Sequence, residues 1–597
     1  MNGANMKLAL TLLAALLLPG QSFAVGNQAA SAGTTDLAAP SAAGELLYNG
    51  IRLPAAWPPR LQQPGNQVMP VPYLEHPPAV VPIDVGRQLF VDDFLIEKTE
   101  LKRRFHYPQR YAGNPILKPE TPTERGEFAE RERDGNTKPV AAMISDGFCY
   151  DAQEQLFKLW YQAGWRDGTM LAVSKDGLHW TRPATDIEPG NNRVLPKQPG
   201  KASRHGTGVS FDPFTTDVSQ RYKMLLFDEP KTRAYTSADG VHWSLKDELP
   251  ECGDNATAFY NPFRQKWAIS IRVQRSARHG RARNYREHAD FFQAIHWTPL
   301  PDNVTARATS HSEEYEWAGT DPLDLPDPDM LAQIPNNSTD PKIRSLYGDP
   351  PQLYNLDAVA YESVMIGMFG ILRGPTVGKV WDKLKCVKRN DLHLAYSRDG
   401  FHWDRPDRTP FLACTRKEGD WENGYLHAGV GVLCVVEDLL YFFYSGWSGV
   451  GSKGPSTYAG GATGVAMLRR DGFASMDADA TGGTLTTRPV TFTGQHLFVN
   501  AAVSQGALQA EVLDEQGQVI APFTVENSVA FSGDKTRQRL TWQGADNLHQ
   551  LVGRQVRFRF TLRNGQLYAF WVSQSETGAS HGYVAAGGPG LTGVVDN

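Results

Sequence analysis

The chain has 597 residues, more than one hydrophobic core accommodates, so we expect at least two domains. Its 60 basic and 65 acidic residues give a net charge of −5, which argues against a basic surface for nucleic acid and against an acidic disordered tail. The 56 Gly and 40 Pro residues favour a turn-rich all-β protein.

The N-terminus has the pattern of a cleavable signal peptide over residues 1–24. Lys7 precedes an apolar run at 8–18 that is too short to span a bilayer, and a small-x-small cleavage site ends at Ala24. Residues 25–84 are rich in Ala and then in Pro, which indicates an extended arm. No later stretch is long and apolar enough for a membrane span, so we predict a secreted or periplasmic protein.

A repeated motif organises the next part of the chain. Ser-x-Asp-Gly-x-His-Trp occurs at 174–180, 237–243 and 397–403, and partial copies end at Trp297 and Phe473. Asp-Gly is a hairpin signal because Gly adopts positive φ at little cost, and we expect each Trp to cover the gap to the next unit. Five irregularly spaced units predict a five-bladed β-propeller over residues 85–475.

Within each unit, short β-branched and aromatic runs predict an inner strand and a second strand. The inner strands are predicted at 139–145, 207–211, 256–260, 356–361 and 426–436, and the second strands at 156–161, 222–227, 267–273, 364–371 and 439–445. The long connections 302–354, 404–424 and 275–290 should share the face at which the inner strands begin, and long loops gathered at one mouth often build a binding site. Residues 476–597 alternate apolar and polar runs, which predicts a C-terminal β-sandwich.

The predicted plan resembles the furanosidase-type glycoside hydrolases of family 32, with relatives in families 43 and 68. The residues that carry the resemblance are the segment 113–117 at the start of the propeller, the segment 464–473 at its end, and the sandwich segments 485–489 and 497–500. The chain lacks the Asn-Asp-Pro and Glu-Cys-Pro motifs of family 32, so the resemblance is to a divergent relative. It implies a glycoside hydrolase with a carboxylate pair in the propeller funnel.

Glycoside hydrolysis uses one carboxyl group with a raised pKa and a second that is ionised. At the starts of inner strands and the ends of second strands, the sequence offers Asp254, Asp357 and Glu229 as catalytic carboxyl groups. Asp357 lies inside an apolar strand, where an unpaired charge is costly. Asp146, which precedes Gly147, is interpreted as part of a turn.

Further polar and aromatic residues at the same mouth are predicted to bind a sugar substrate. They are Asp134, Trp165, Arg204, His205, Arg272, Tyr354, Glu422 and His427. We predict no cofactor and no metal site, while a structural cation on the axis near His427 stays open. Asp176, Asp239 and Asp399 belong to the repeat turns at the opposite face and are predicted to be structural.

Two other classes stay open from the sequence. A non-catalytic carbohydrate-binding propeller fits the same fold, because a fold does not determine function. A sialidase-like enzyme also has repeated Asp-containing turns, but it needs six blades, an Arg triad and a Tyr nucleophile. The oligomeric state does not follow from the sequence.

Overall fold

The computed structural model describes residues 44–61, 67–128, 135–195, 204, 206–228, 231–249, 253–274, 280–296, 316–384 and 386–597. Most of the regular secondary structure of these residues is β-strand, which confirms the all-β prediction. The α-helices among them are short: Pro72–Glu75, Phe291–Ile295, Pro328–Ala332, Pro341–Leu346 and Gly378–Leu384. Single turns of 3₁₀ helix lie at Val218–Gln220, Pro335–Asn337 and His549–Leu551. No helix of the described residues is long and apolar enough to cross a membrane.

The strands are numbered in chain order, and those of the first part of the chain fall into five groups. Five short strands come first: β1 Val81–Pro82, β2 Gln88–Leu89, β3 Ile96–Thr99, β4 Lys102–Phe105 and β5 Gln109–Arg110. Group 1 contains β6 Ala141–Asp151, β7 Leu156–Ala163, β8 Gly168–Ser174, β9 Trp180–Thr181 and β10 Arg193–Leu195. Group 2 contains β11 Gly206–Phe211, β12 Tyr222–Asp228, β13 Lys231–Ser237 and β14 Ser244–Leu249.

Three further groups complete this part of the chain. Group 3 contains β15 Thr257–Asn261, β16 Lys266–Gln274, β17 Arg281–His288 and β18 Glu316–Ala318. Group 4 contains β19 Gln352–Glu362, β20 Val364–Leu372 and β21 Asn390–Ser397. Group 5 contains β22 Gly424–Val430, β23 Cys434–Val436, β24 Leu439–Trp447, the hairpin β25 Val450–Gly451 and β26 Gly454–Pro455, and β27 Gly461–Arg469.

Neighbouring groups contact one another through their first strands. Ser210 of β11 donates to the carbonyl of Ala258 on β15 (2.9 Å), and Thr257 of β15 donates to the carbonyl of Leu356 on β19 (3.0 Å). Strand β22 pairs in parallel with β6, which joins group 5 to group 1 in one sheet. The same sheet continues through β24 and β27 to β5, which pairs with β27 at its edge.

The C-terminal ends of the first strands of the five groups, which we call their far ends, meet at a cavity of about 300 Å³. Its lining includes Phe148 of β6, Phe211 of β11, Tyr260 of β15, Val359 of β19 and Val430 of β22. The N-terminal ends of the same strands are called their near ends. Because strands in each group alternate in direction, the near ends lie on the same side as the long connections 319–351 and 413–423. The near ends are therefore the place to look for a site built from loops.

The repeated motif forms the turn after the third strand of groups 1, 2 and 4. In each copy the Asp carboxylate accepts two backbone N–H groups and contacts the His ring, as Asp399 does with His402 Nδ1 at 2.7 Å. Trp180 and Trp243 donate through Nε1 to the Gly carbonyl of their own turn. These contacts agree with the structural role predicted for the motif.

Each turn packs against the preceding group, not the next one. Trp180 of group 1 lies edge-on to Phe443 of group 5, with ring centroids 5.5 Å apart. The carbonyl of Gly240 in group 2 accepts from Trp160 of group 1 at 2.8 Å. The prediction that the Trp covers the gap to the following unit was therefore wrong in direction, because the third strand ends on the side that faces the unit before it.

The last strands form two sheets that share one hydrophobic core. Their C-terminal strands are β28 Ala474–Ala478, β29 Gly483–Thr487, β31 His496–Ala502, β32 Ala507–Leu513, β33 Asp534–Arg539, β34 Arg557–Arg563 and β35 Gly565–Ser573. Two other strands of this region lie outside these sheets: β30 Val490–Thr491 pairs with β1, and β36 Tyr583–Val584 pairs with β19. One sheet has the order β33-β31-β35-β28-β4, with β2 also on β35, and the other has the order β3-β29-β34-β32. Val499 and Phe570 from the first sheet pack in the same core as Val512 and Phe560 from the second.

Three segments differ from the sequence-based expectations. Strands β2, β3 and β4, within the segment predicted to begin the propeller, pair with C-terminal strands instead. The described part of the predicted loop 275–290 contains β17, an eight-residue strand that pairs with β16. Part of the predicted arm is also buried, since Leu47, Ile51 and Tyr73 contribute to the C-terminal core.

Candidate functional site

A cluster of charged and aromatic side chains is supplied by several strands of groups 3, 4 and 5 and by the connections at their near ends. We call it the inner-strand cluster, and its members are Asp254, Arg272, Arg281, Arg283, Tyr354, Asp357, Lys388, Tyr425 and His427. Group 3 supplies the arginines and Asp254, group 4 supplies Tyr354, Asp357 and Lys388, and group 5 supplies Tyr425 and His427. Five of the sequence-predicted site residues belong to it.

Unusual backbone conformations position two of these side chains in the cluster. Asp254 lies between Gly253 (φ +75°) and Asn255 (φ +59°), so a tight left-handed turn orients it just before β15. Tyr425 has φ +56°, which is uncommon for a bulky residue, at a register shift between β22 and β24. Both residues thus depart from regular strand geometry at the cluster.

The two catalytic carboxyl groups predicted within the described residues each face an arginine of one cross-strand pair. Arg272 and Arg283 are directly opposite on β16 and β17, so their side chains share a face. Like charges in that position repel. Asp254 offsets the repulsion through an ion pair with Arg272, and the nearby Asp357 carboxyl interacts electrostatically with Arg283.

Asp357 has the electrostatic properties of an acid that is protonated near neutral pH. The residue is 2% exposed, and burial raises the pKa of its carboxyl from 3.8 to about 7 despite the opposing charge of Arg283. Asn355 donates to its Oδ2 atom at 2.6 Å, whereas Oδ1 is buried with no hydrogen-bond partner. A carboxyl group in this state can donate a proton at neutral pH.

A lysine and two tyrosines form a second polar unit in the cluster. Lys388 Nζ donates to the hydroxyls of Tyr354 (3.0 Å) and Tyr425 (3.3 Å), which are 2.8 Å from each other. Burial alone would raise the pKa of Tyr354, but the charges of Lys388 and Arg281 lower it to about 7. Burial also lowers the pKa of Lys388, to about 8. This arrangement favours a tyrosinate near neutral pH.

His427 is enclosed by aromatic rings on the group 5 side of the cluster. Its ring lies 4.5 Å from that of Tyr425, 5.4 Å from Trp447 and 5.6 Å from Tyr354. Burial, Lys388 and Arg283 lower its pKa to about 3, so the ring is neutral, and both ring nitrogens are buried without a hydrogen-bond partner. Among the described residues, no group of three or more His, Cys, Asp or Glu side chains is arranged to hold a metal.

Trp165 adjoins the cluster through Tyr458. The two rings are stacked at 4.1 Å with an interplanar angle of 17°, and Lys388 lies 5.0 Å from the Tyr458 ring. Both residues come from connections at the near ends of the strands and are half-buried. They provide an aromatic edge next to the charged residues.

Two other predicted residues have contacts outside the cluster. Arg204 makes a bidentate contact with Asp146 (2.8 and 2.9 Å) and donates to Thr169. Glu422 pairs with Arg110 at 2.8 Å and accepts from Tyr444 at 2.9 Å. Asp134, His205 and Glu229 lie outside the described residues.

Sequence reasoning misjudged or missed several residues near the site. Asp146 is not in a turn: it lies within β6, fully buried, beside Ser145, which has φ +64° where the register shifts. Arg281 and Arg283 were missed because their segment was assigned to a loop, although the alternation Arg-x-Arg predicts two side chains on one face of a strand. Lys388 has no local pattern that would single it out.

Comparisons with known proteins do not assign a family. No family model matches the chain, and no curated protein matches it. Among solved structures, an exo-β-1,3-galactanase from Phanerochaete chrysosporium is 11% identical, with 76% of this chain and 98% of that chain covered and a TM-score of 0.31. A glycosyl hydrolase from Bacteroides ovatus is 12% identical, with 64% and 97% covered and a TM-score of 0.35.

A third similar structure comes from work on glycoside hydrolases of the GH130 family that target β-1,2 mannosidic linkages. It is 13% identical, with 65% of this chain and 99% of that chain covered and a TM-score of 0.34. These neighbours are glycoside hydrolases by their own descriptions. At such scores the likeness supports no statement about the activity of this chain.

Proposed function

We propose that the chain is an exported glycoside hydrolase that uses Asp357 as its general acid and Asp254 as the ionised carboxylate. The five strand groups are the blades of a β-propeller, and the two C-terminal sheets are a β-sandwich. The contacts between successive first strands and the pairing of β22 with β6 support the propeller arrangement. Export rests on the signal pattern at residues 1–24, which lie outside the described residues.

One observation carries the catalytic proposal: a buried Asp357 with a pKa of about 7 belongs to the same cluster as Asp254. Cleavage requires a proton for the departing sugar oxygen, and Asp357 has one to give at neutral pH. Asp254, which pairs with Arg272, supplies the negative charge that stabilises the sugar cation or activates water. Glu229 is the alternative for this second role.

The test is release of reducing sugar from a panel of polysaccharides and aryl glycosides. We expect Asp357→Asn and Asp254→Asn to lose about 10²- to 10⁴-fold in rate while they stay folded. Asp176→Asn is the matched control because Asp176 lies in a repeat turn at the far ends of the strands. Full activity in Asp357→Asn would show that Asp357 is not the general acid. If the wild-type protein hydrolyses no substrate of the panel but still binds sugar, the carbohydrate-binding alternative would be favoured.

A second candidate mechanism uses Tyr354 as the nucleophile. The lowered pKa of its phenol beside Lys388 favours this reading, since sialidases attack with a tyrosine. The same panel separates the two mechanisms. Activity lost in Tyr354→Phe but retained in both Asp254→Asn and Glu229→Gln would assign the nucleophile to Tyr354.

A further inference from the structure

Two arginines of the inner-strand cluster lack an ion pair with any carboxylate of the described residues. Arg281 donates to neutral partners, the Gln352 side chain at 2.6 Å and the Thr376 carbonyl at 3.3 Å. Arg283 is fully buried, donates through Nη1 to the Asn255 carbonyl at 2.7 Å, and has no hydrogen-bond partner for Nε or Nη2.

The other buried arginines among the described residues have carboxylate partners. Arg398 contacts both oxygens of Asp92 at 2.7 and 2.8 Å, and Arg405 contacts both oxygens of Asp324 at 2.5 and 2.8 Å. A buried guanidinium that lacks such partners is costly to the folded state. Arg283 is therefore unlike the arginines that stabilise the fold, and its free N–H groups suit an anionic ligand.

The position of Arg281 reinforces this reading. Arg281 and Arg283 are two residues apart on β17, so their side chains leave the same face of the strand, about 7 Å apart along it. Arg281 lies over the Tyr354 ring at 5.4 Å, and the neighbouring ion pair of Arg272 with Asp254 is about one-quarter exposed, with side chains at 21% and 26%. The pair of arginines thus extends from the fully buried Arg283, which interacts with Asp357, to the partly exposed Arg281.

We propose that Arg281 and Arg283 bind an anionic group on a sugar, so that the substrate is an acidic poly- or oligosaccharide. A planar guanidinium matches a carboxylate or a sulfate through two parallel hydrogen bonds, and such charge-assisted bonds are stronger than neutral ones. The anion is the carboxylate of a uronate or a sulfate ester. The choice of substrate rests on the proposed hydrolase function, but binding of the anion is measured without turnover.

The experiment measures binding by calorimetry in an Asp357→Asn background, which removes the proposed acid. The probes are uronate oligosaccharides, the same compounds after carboxyl reduction, and sulfated oligosaccharides of the same backbones. Arg281→Gln and Arg283→Gln are compared with Arg104→Gln, which removes an equal charge from an exposed position on β4. Arg281 is only partly buried and has neutral partners, so its variant keeps the test valid if Arg283→Gln does not fold.

We expect at least one acidic probe to bind about tenfold or more tightly than its reduced counterpart, and each site variant to lose that preference. The affinity should fall with added salt and stay unchanged in Arg104→Gln. Arginine-dependent binding of sulfated probes alone would identify the anion as sulfate. Equal binding of acidic and reduced probes, or no binding of any acidic probe, would overturn the proposed anion site. Hydrolysis by Asp357→Asn tests only the proposed function, because the binding measurement does not depend on turnover.

Discussion

The protonation state of Asp357 makes a quantitative prediction about stability. The pKa of this carboxyl is about 7 in the folded protein and 3.8 when unperturbed. The folded state therefore holds a proton that the unfolded state has released, and stability from this group is present below about pH 4 and is lost as pH rises through about 7. Asp357→Asn removes the titration while it keeps a side chain of the same shape.

The magnitude follows from the pKa values. Between about pH 5 and pH 7 the folded state retains the proton, which corresponds to about 2 pH units at about 1.4 kcal/mol each. Relative to the wild type, Asp357→Asn should therefore be about 3 kcal/mol more stable at pH 8 than at pH 5. Contributions of other titrating groups cancel in this comparison, since both proteins carry them.

Urea denaturation at about pH 5 and pH 8 provides the measurement, with melting temperatures as a second readout. Asp391→Asn is the matched control: Asp391 is also buried, but Arg416 and Arg373 lower its pKa. Its stabilising effect is present at all pH values above about 4, so its variant should lose a similar amount of stability at both pH values. A difference between Asp357→Asn and the wild type that is the same at both pH values would refute protonation of Asp357 near neutrality.

Three further predictions concern other parts of the molecule. Tyr354 should ionise near neutral pH in an ultraviolet difference titration, and Lys388→Met should move that ionisation to high pH; an unchanged curve would contradict the pairing. Asp399→Ala should cost about 2–4 kcal/mol and Asp176→Ala, in a half-exposed turn, about 1 kcal/mol by denaturation; equal losses would contradict the importance of burial. Arg87→Met removes a buried partner of three carboxylates and should cost about 3–5 kcal/mol, and a neutral result would show that this network does not stabilise the fold.

The repeated turns were the most reliable guide in the sequence to the fold. Their local chemistry depends on adjacent residues, so Asp399, Gly400 and His402 could be interpreted without knowledge of the rest of the chain. The same turn chemistry misled at Asp146 and Gly147, where the Asp-Gly pair lies in an irregular part of a strand and not in a loop. Only pairing with β7 and β22 distinguishes the two cases.

The candidate site was predictable only in part, for a related reason. Asp254 and Asp357 could be found because an acidic residue at or inside an apolar strand is unusual in itself. Lys388 depends on contacts with Tyr354 and Tyr425, which are distant in sequence, so no local pattern reveals it. Arg283 became notable only when its unsatisfied N–H groups were located.

The pairing of β5 with β27 has a consequence for how the chain folds. Arg110 and Ala466 are neighbours in the sheet although more than half of the chain separates them. Contacts between such distant positions slow folding because a long loop must close before they form. Until β27 is available, one edge of β24 is unpaired and β5 has no partner strand. Exposed strand edges promote association between chains. We therefore expect chains truncated before residue 461 to aggregate even though groups 1 to 4 are complete.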